Sequence, residues 1–212
     1  MQEEIYIAGV GGQGALSMGQ MLAFAGLAEG KNVSYVPFYG VEKRGGVANC
    51  GVVISSRPIN CPIVFEPTVL VAMNNSSLKR HESTVVPGGL VIVNWSLVDS
   101  LVERGDVRVI GVKASELAEE MGDVRVANNI ILGVLSEATG VVSGWALRRA
   151  LEEVIPERHR DLMEVNIRAL EKGAGLWHSV KTGAGALNSD NGFLFCRGFS
   201  FCSGGAGEAQ HG

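Results

Sequence analysis

The chain has 212 residues, 46% of them hydrophobic, and a formal net charge of −4. That composition suits one compact domain with a sizeable core. The acidic balance gives no electrostatic footprint for nucleic acid or an anionic membrane, and no run approaches the roughly 20 apolar residues of a membrane helix.

Ile5-Tyr6-Ile7-Ala8 is a short apolar run stopped by glycines, which predicts a buried strand. No basic stretch followed by an apolar one precedes it, so the chain reads as cytoplasmic, without a signal peptide. From Ala15 to about Glu29, Leu16, Met18, Met21, Leu22, Ala25 and Leu27 recur at mostly helical spacing, and Gly30 ends the helix. Val33 to Val36 is a second strand. This strand–helix–strand start implies parallel pairing of its two strands through a right-handed crossover. Val47 to Ser55, Val69 to Met73, Leu90 to Val93 and Val107 to Ile110 are further strands. Asn74 to Ser77 can cap a short helix after the second of these. There, His81 beside Lys79 and Arg80 reads as an exposed helix residue.

Beyond residue 113 the pattern is helical. Ser115 to Met121 is a short helix, and Asn128 to Thr139 is apolar on most sides and should be buried. Ser143 caps a helix to about Val154, and Pro156 opens a last helix ending near Lys172. Residues 174–212 are glycine-rich without a period, and read as a poorly ordered tail on a domain of residues 1–173. The fold class is α/β: a mainly parallel sheet, open or barrel-like, with flanking helices, a Rossmann-like start and a helical C-terminal part.

Four cysteines, Cys50, Cys61, Cys196 and Cys202, form no C-x-x-C pair, and the histidines are scattered. Metal clusters are usually announced by closely spaced ligands, so these read as reduced thiols and no metal site is expected. No nucleophile–base–orienter set is legible either, so no catalytic residue is assigned.

Gly9-Val10-Gly11-Gly12-Gln13-Gly14 is a G-x-G-x-x-G set between a strand and a helix. Three readings stand. It can hold a dinucleotide, its glycines can simply let strand and helix pack closely, or it can meet a phosphate or a partner chain at the helix N-terminus. The dinucleotide reading lacks its ribose-binding acid. The second strand runs into Pro37-Phe38-Tyr39, and the first acid, Glu42, lies in the next loop. That loop, Tyr39-Gly40-Val41-Glu42-Lys43-Arg44-Gly45-Gly46, joins a guanidinium to backbone that turns freely, and such turns can form anion-binding concavities.

Together these motifs resemble the gamma subunit, or gamma domain, of the 2-oxoacid:ferredoxin oxidoreductases. The glycine set is followed, in the right order and spacing, by Tyr39-Gly40, Glu42, Arg44-Gly45-Gly46, Ala48-Asn49-Cys50, Val52 to Ser55, Pro58-Ile59, Pro62, Ala72-Met73-Asn74 and Pro87-Gly88-Gly89. The resemblance covers about residues 3 to 172. Its Ala48-Asn49-Cys50 form is closer to the 2-oxoglutarate and branched-chain enzymes. It implies a subunit, inactive alone, of a complex converting a 2-oxoacid and coenzyme A to acyl-CoA and CO₂ while reducing ferredoxin. Thiamine diphosphate, Mg²⁺ and iron–sulfur clusters would sit in alpha, beta or delta partner subunits. The loop residues Gly9, Gly11, Gly12, Gln13, Gly14, Tyr39, Gly40, Glu42, Arg44, Gly45, Gly46 and Asn49 would contact a ligand, such as coenzyme A, or a partner. The alternatives are a free-standing Rossmann-type nucleotide-binding oxidoreductase and a purely structural interaction domain.

Overall fold

The computed structural model describes residues 2–40, 46–181 and 194–197. The described residues form seven strands: β1 (Gln2–Ala8), β2 (Asn32–Tyr39), β3 (Ala48–Ser55), β4 (Val69–Ala72), β5 (Leu90–Asn94), β6 (Arg108–Val112) and β7 (Leu194–Arg197). Six helices accompany them: α1 (Ala15–Ala28), α2 (Asn75–His81), α3 (Ala114–Glu120), α4 (Ala127–Thr139), α5 (Gly144–Val154) and α6 (Met163–Lys181). The strands make one sheet in the order β2-β3-β1-β4-β5-β6-β7.

β1, β4, β5 and β6 are parallel neighbours, while β3 runs antiparallel to both β1 and β2, and β7 antiparallel to β6. Five of the seven strands therefore point one way, and the mainly parallel direction holds. The pairing of the start does not. β1 and β2 share a direction, but β3 lies between them, so the first helix links strands that are not neighbours. The cause is the β2–β3 hairpin, which folds back and delivers β3 to the edge of β1. Nor does the sheet close into a barrel among the described residues: β2 and β7 stand at its two ends.

Alternation along β1 divides the core. Ile5 and Ile7 join a cluster built with α1, α4, α5 and α6, whereas Ala8 and Tyr6 pack with Leu70, Leu78 and Val91 on the α2 face. β3, β4 and β5 are buried along their whole length, as expected for strands covered on both faces. α1 lies so close to the sheet that a Cβ at Gly19 would overlap Cys50 Sγ and the Tyr35 ring. α4 and α6 approach equally closely: a Cβ at Gly133 would run into the Leu170 carbonyl, and one at Gly173 into that of Ile130.

The last helix differs from its sequence reading. A 3₁₀ stretch, Glu157–Leu162, follows Pro156, and α6 begins only at Met163 and continues to Lys181, past the boundary at residue 173. Elsewhere the caps are as read. Asn74 accepts from the Ser77 N–H at 2.9 Å, and Ser143 accepts from Ala146 at 3.2 Å.

Candidate functional site

β1 ends into the first glycine set, and the chain must turn sharply to enter α1. Gly12 and Gly14 do this at φ of 97° and 75°, backbone that a side chain would strain. Gly14 is doubly required, since a Cβ there would lie 2.6 Å from Asn128 Nδ2. α1 begins with no side-chain cap and no acidic residue in its first turn, so its positive end is not neutralised locally.

The two loops singled out in the sequence are joined by hydrogen bonds. The Gly11 N–H donates to the Gly46 carbonyl at 2.9 Å, the Ala48 N–H to that of Gly9 at 3.0 Å, and Val10 bridges Val47. Gly40 N–H donates to the Val47 carbonyl at 2.8 Å, which brackets the intervening segment at the head of the β2–β3 hairpin. Gly9, Gly11, Gly12, Gln13, Gly14, Gly40, Gly46 and Asn49 thus come together at one end of the sheet, with Tyr39 beside them and 73% exposed. Glu42, Arg44 and Gly45 lie outside the described residues.

Gln13 is the clamp of the first turn. Its Oε1 accepts from the Val10 N–H at 2.9 Å and from Asn74 Nδ2 at 2.8 Å, while its Nε2 donates to the Met73 carbonyl at 3.3 Å. Asn49 holds the other side. Its Oδ1 accepts from the Gly9 N–H at 3.1 Å, and its Nδ2 lies 3.4 Å from both the Tyr6 hydroxyl and His81 Nε2. Because the Gly9 N–H can only donate, the orientation of the Asn49 amide is fixed, and Nδ2 is the donor to His81. His81 Nε2 is then an acceptor on a neutral ring. Burial, with Arg80 adding a smaller contribution, holds the His81 pKa below its ordinary value. The Tyr6 and His81 ring centroids are 4.7 Å apart. His81 is therefore not the exposed helix residue of the sequence reading: α2 turns it inward, under the glycine turn.

Sequence reasoning missed Tyr6, His81 and the clamping role of Asn74, whose cap function alone was legible. It also missed Asn128 and Asn129, whose only signal was two adjacent carboxamides inside an otherwise apolar run. The Cys50 thiol is buried between α1 and β3 and pushed up to about 12 by desolvation, which makes it a packing group and not a nucleophile. Among the described residues no three His, Cys, Asp or Glu side chains converge as metal ligands. The dinucleotide reading fares no better: β2 carries no acid at its end, and β3 separates it from β1.

The fold is thus an α/β domain in which a strand–turn–helix with bare glycine backbone is hydrogen-bonded to the end of a β-hairpin. Residues 4–176 match the family described as pyruvate ferredoxin/flavodoxin oxidoreductase, and the chain belongs to that family. It is 40% identical over 172 residues to the ketoisovalerate oxidoreductase subunit VorA of Methanothermobacter thermautotrophicus, covering 80% of this chain but 35% of that protein; it thus spans about a third of that relative. The gamma subunit of a keto/oxoacid ferredoxin oxidoreductase from Geobacter sulfurreducens superposes with a TM-score of 0.72 at 28% identity, over 84% of this chain and 99% of that one. The 2-oxoglutarate:ferredoxin oxidoreductase of Magnetococcus marinus, solved with 2-oxoglutarate, coenzyme A and succinyl-CoA, matches at a TM-score of 0.75 and 26% identity, over 84% of this chain and 31% of that one. No helix among the described residues is long and apolar enough to cross a membrane.

Proposed function

We propose that this chain is the gamma-type subunit of a cytoplasmic 2-oxoacid:ferredoxin oxidoreductase, of the 2-oxoglutarate or branched-chain type. In this reading alpha and beta subunits, with or without a delta subunit, carry thiamine diphosphate, Mg²⁺ and the iron–sulfur clusters. The complex converts 2-oxoacid, coenzyme A and oxidised ferredoxin to acyl-CoA, CO₂ and reduced ferredoxin. This chain supplies no reacting group. It presents the turn from Gly9 to Gly14 and the hairpin head from Tyr39 to Gly46 to coenzyme A at a subunit junction. The observation that carries the reading is the joining of these two turns at one end of the sheet, beside the uncapped positive end of α1. A phosphate suits that position, and Arg44 suits a phosphate better than any other group in the loop.

The test uses the complex reconstituted with its partner subunits. Arg44→Ala should raise the KM for coenzyme A by about tenfold, the loss of one charged hydrogen bond. The kcat of the complex should stay at its parental value, and so should the melting temperature of the isolated chain. An unchanged KM would remove Arg44 from coenzyme A handling, and a large fall in melting temperature would make the loop structural.

A further inference from the structure

Gly9 is gripped from two sides where β1 gives way to the turn. Its N–H donates to Asn49 Oδ1 at 3.1 Å, and its carbonyl accepts from the Ala48 N–H at 3.0 Å. Both grips come from adjacent residues of β3, so together they joint the glycine turn to the hairpin. Asn49 is 5% exposed, and a buried N–H that loses its acceptor is costly.

The Asn49 amide is itself held by polarity. With Oδ1 committed to Gly9, Nδ2 serves the Tyr6 hydroxyl and His81 Nε2, each 3.4 Å away. Both contacts need an acceptor. A hydroxyl oxygen accepts whatever its own proton does, but a ring nitrogen accepts only while it carries no proton. A proton on His81 Nε2 therefore sets N–H against N–H. Turning the amide over would offer Oδ1 to His81, but it would set Nδ2 against the Gly9 N–H. Each orientation of the amide leaves a donor facing a donor.

The ring is not free to withdraw from this conflict. It packs on Tyr6, and α2 is pinned at both ends. Asn74 caps its start, and Glu82, just past its end, accepts from the Glu103 and Arg104 N–H groups at 2.7 and 3.0 Å. Those bonds turn the Glu82 carboxylate to another partner. β1 presents Tyr6, while its Glu4 accepts from Gln2 at the far end of the strand. β4 carries no titratable side chain, and β3 presents Asn49. On α2 itself the neighbours Lys79 and Arg80 are cationic. Among the described residues, then, no carboxylate pairs with the ring to absorb its charge.

We propose that His81 is a positioning residue that makes the joint between glycine turn and hairpin sensitive to pH: the neutral ring holds Asn49 on Gly9, and the protonated ring releases it. The joint is closed at neutral pH and loosens below about pH 6.5, the ordinary value for histidine. The release is a property of this chain. Its consequence for turnover rests on the coenzyme A contact proposed above.

Hydrogen exchange read by NMR on the full 212-residue chain tests the joint directly. Between pH 7.5 and 5 the protection factor of the Gly9 amide, corrected for the intrinsic pH dependence of exchange, should fall by about tenfold, the loss of one buried hydrogen bond. Amides in the middle of α4 should keep theirs. His81→Gln offers an acceptor that does not protonate, and its Gly9 protection should stay flat. His81→Phe keeps a ring against Tyr6 without an acceptor, and its Gly9 protection should be low at both ends of the range. A fall in the Gln variant parallel to that of the parent would overturn the proposal, as would a Phe variant protected like the parent at pH 7.5. The KM for coenzyme A of the reconstituted complex over the same range separates the two readings. A rise that His81→Gln abolishes supports both. A flat KM beside falling Gly9 protection supports the role of His81 and counts against coenzyme A at this turn.

Discussion

Two clusters of carboxamides flank the start of α1, and they are built to opposite specifications. On one side Gln13, Asn49 and Asn74 use their oxygens and nitrogens on the turn itself, on Val10, Met73 and Gly9, and on one another. On the other side Asn128 and Asn129 bury oxygens that have no hydrogen-bond partner among the described residues. A saturated network has one low-energy arrangement and holds backbone in place. An unsaturated one costs stability and is tolerated where something else completes it. The difference separates a completed network from an open one within a few residues of the same helix terminus.

If that contrast is right, removal of a scaffold amide should hurt most. Gln13→Ala deletes three hydrogen bonds and should cost about 2 kcal/mol in urea denaturation of the chain. It should also loosen the glycine turn, seen as faster amide exchange at Val10. A cost within error of zero would mean that water replaces the clamp freely, and the turn would not be preorganised by it.

The next effect is smaller and depends on pH. His81 supports Asn49 as a neutral acceptor, and burial holds its pKa in the fold below the unfolded value, which is about 6.5. The unfolded chain therefore binds more protons than the folded one in the window just below that value. The stabilising contribution is complete above the unfolded pKa and is lost as pH falls towards the folded one. Stability measured from pH 7.5 down to 5 should decline more steeply in the parent than in His81→Gln. Parallel curves would show that His81 titrates without consequence for the turn.

How much of this was visible beforehand depends on the range of each interaction. The Gly9–Gly14 turn, the limits of α1 and the caps at Asn74 and Ser143 are local chemistry, and they were legible. The insertion of β3 between β1 and β2 was not, because the pairing of Ile5 with Val52 is set by long-range burial and not by neighbouring residues. The same holds for Asn49, which was matched by family resemblance but whose bond to Gly9 spans 40 residues. α6 shows a local signal that misleads. The glycine-rich stretch after it set the expected helix end near Lys172, yet Gly173 sits inside the helix because only a missing Cβ lets α6 pass the Ile130 carbonyl of α4. Packing outweighed the helix propensity of glycine there, a penalty of about 1 kcal/mol.

The smallest expected effect is the sharpest test of the contrast between the two clusters. Asn128 Oδ1 is buried and unpaired, so its removal forfeits no hydrogen bond and relieves a desolvation cost. Asn128→Leu is nearly isosteric and should leave the stability of the ligand-free chain unchanged, or raise it by up to about 1 kcal/mol. Loss of the carboxamide at Gln13 should instead destabilise, and the opposite signs distinguish a completed network from an open one. A loss at Asn128 comparable to that of Gln13→Ala would mean that its carboxamide already has a partner in the free protein. Its network would then be complete as well, and the start of α1 would have one specification on both sides.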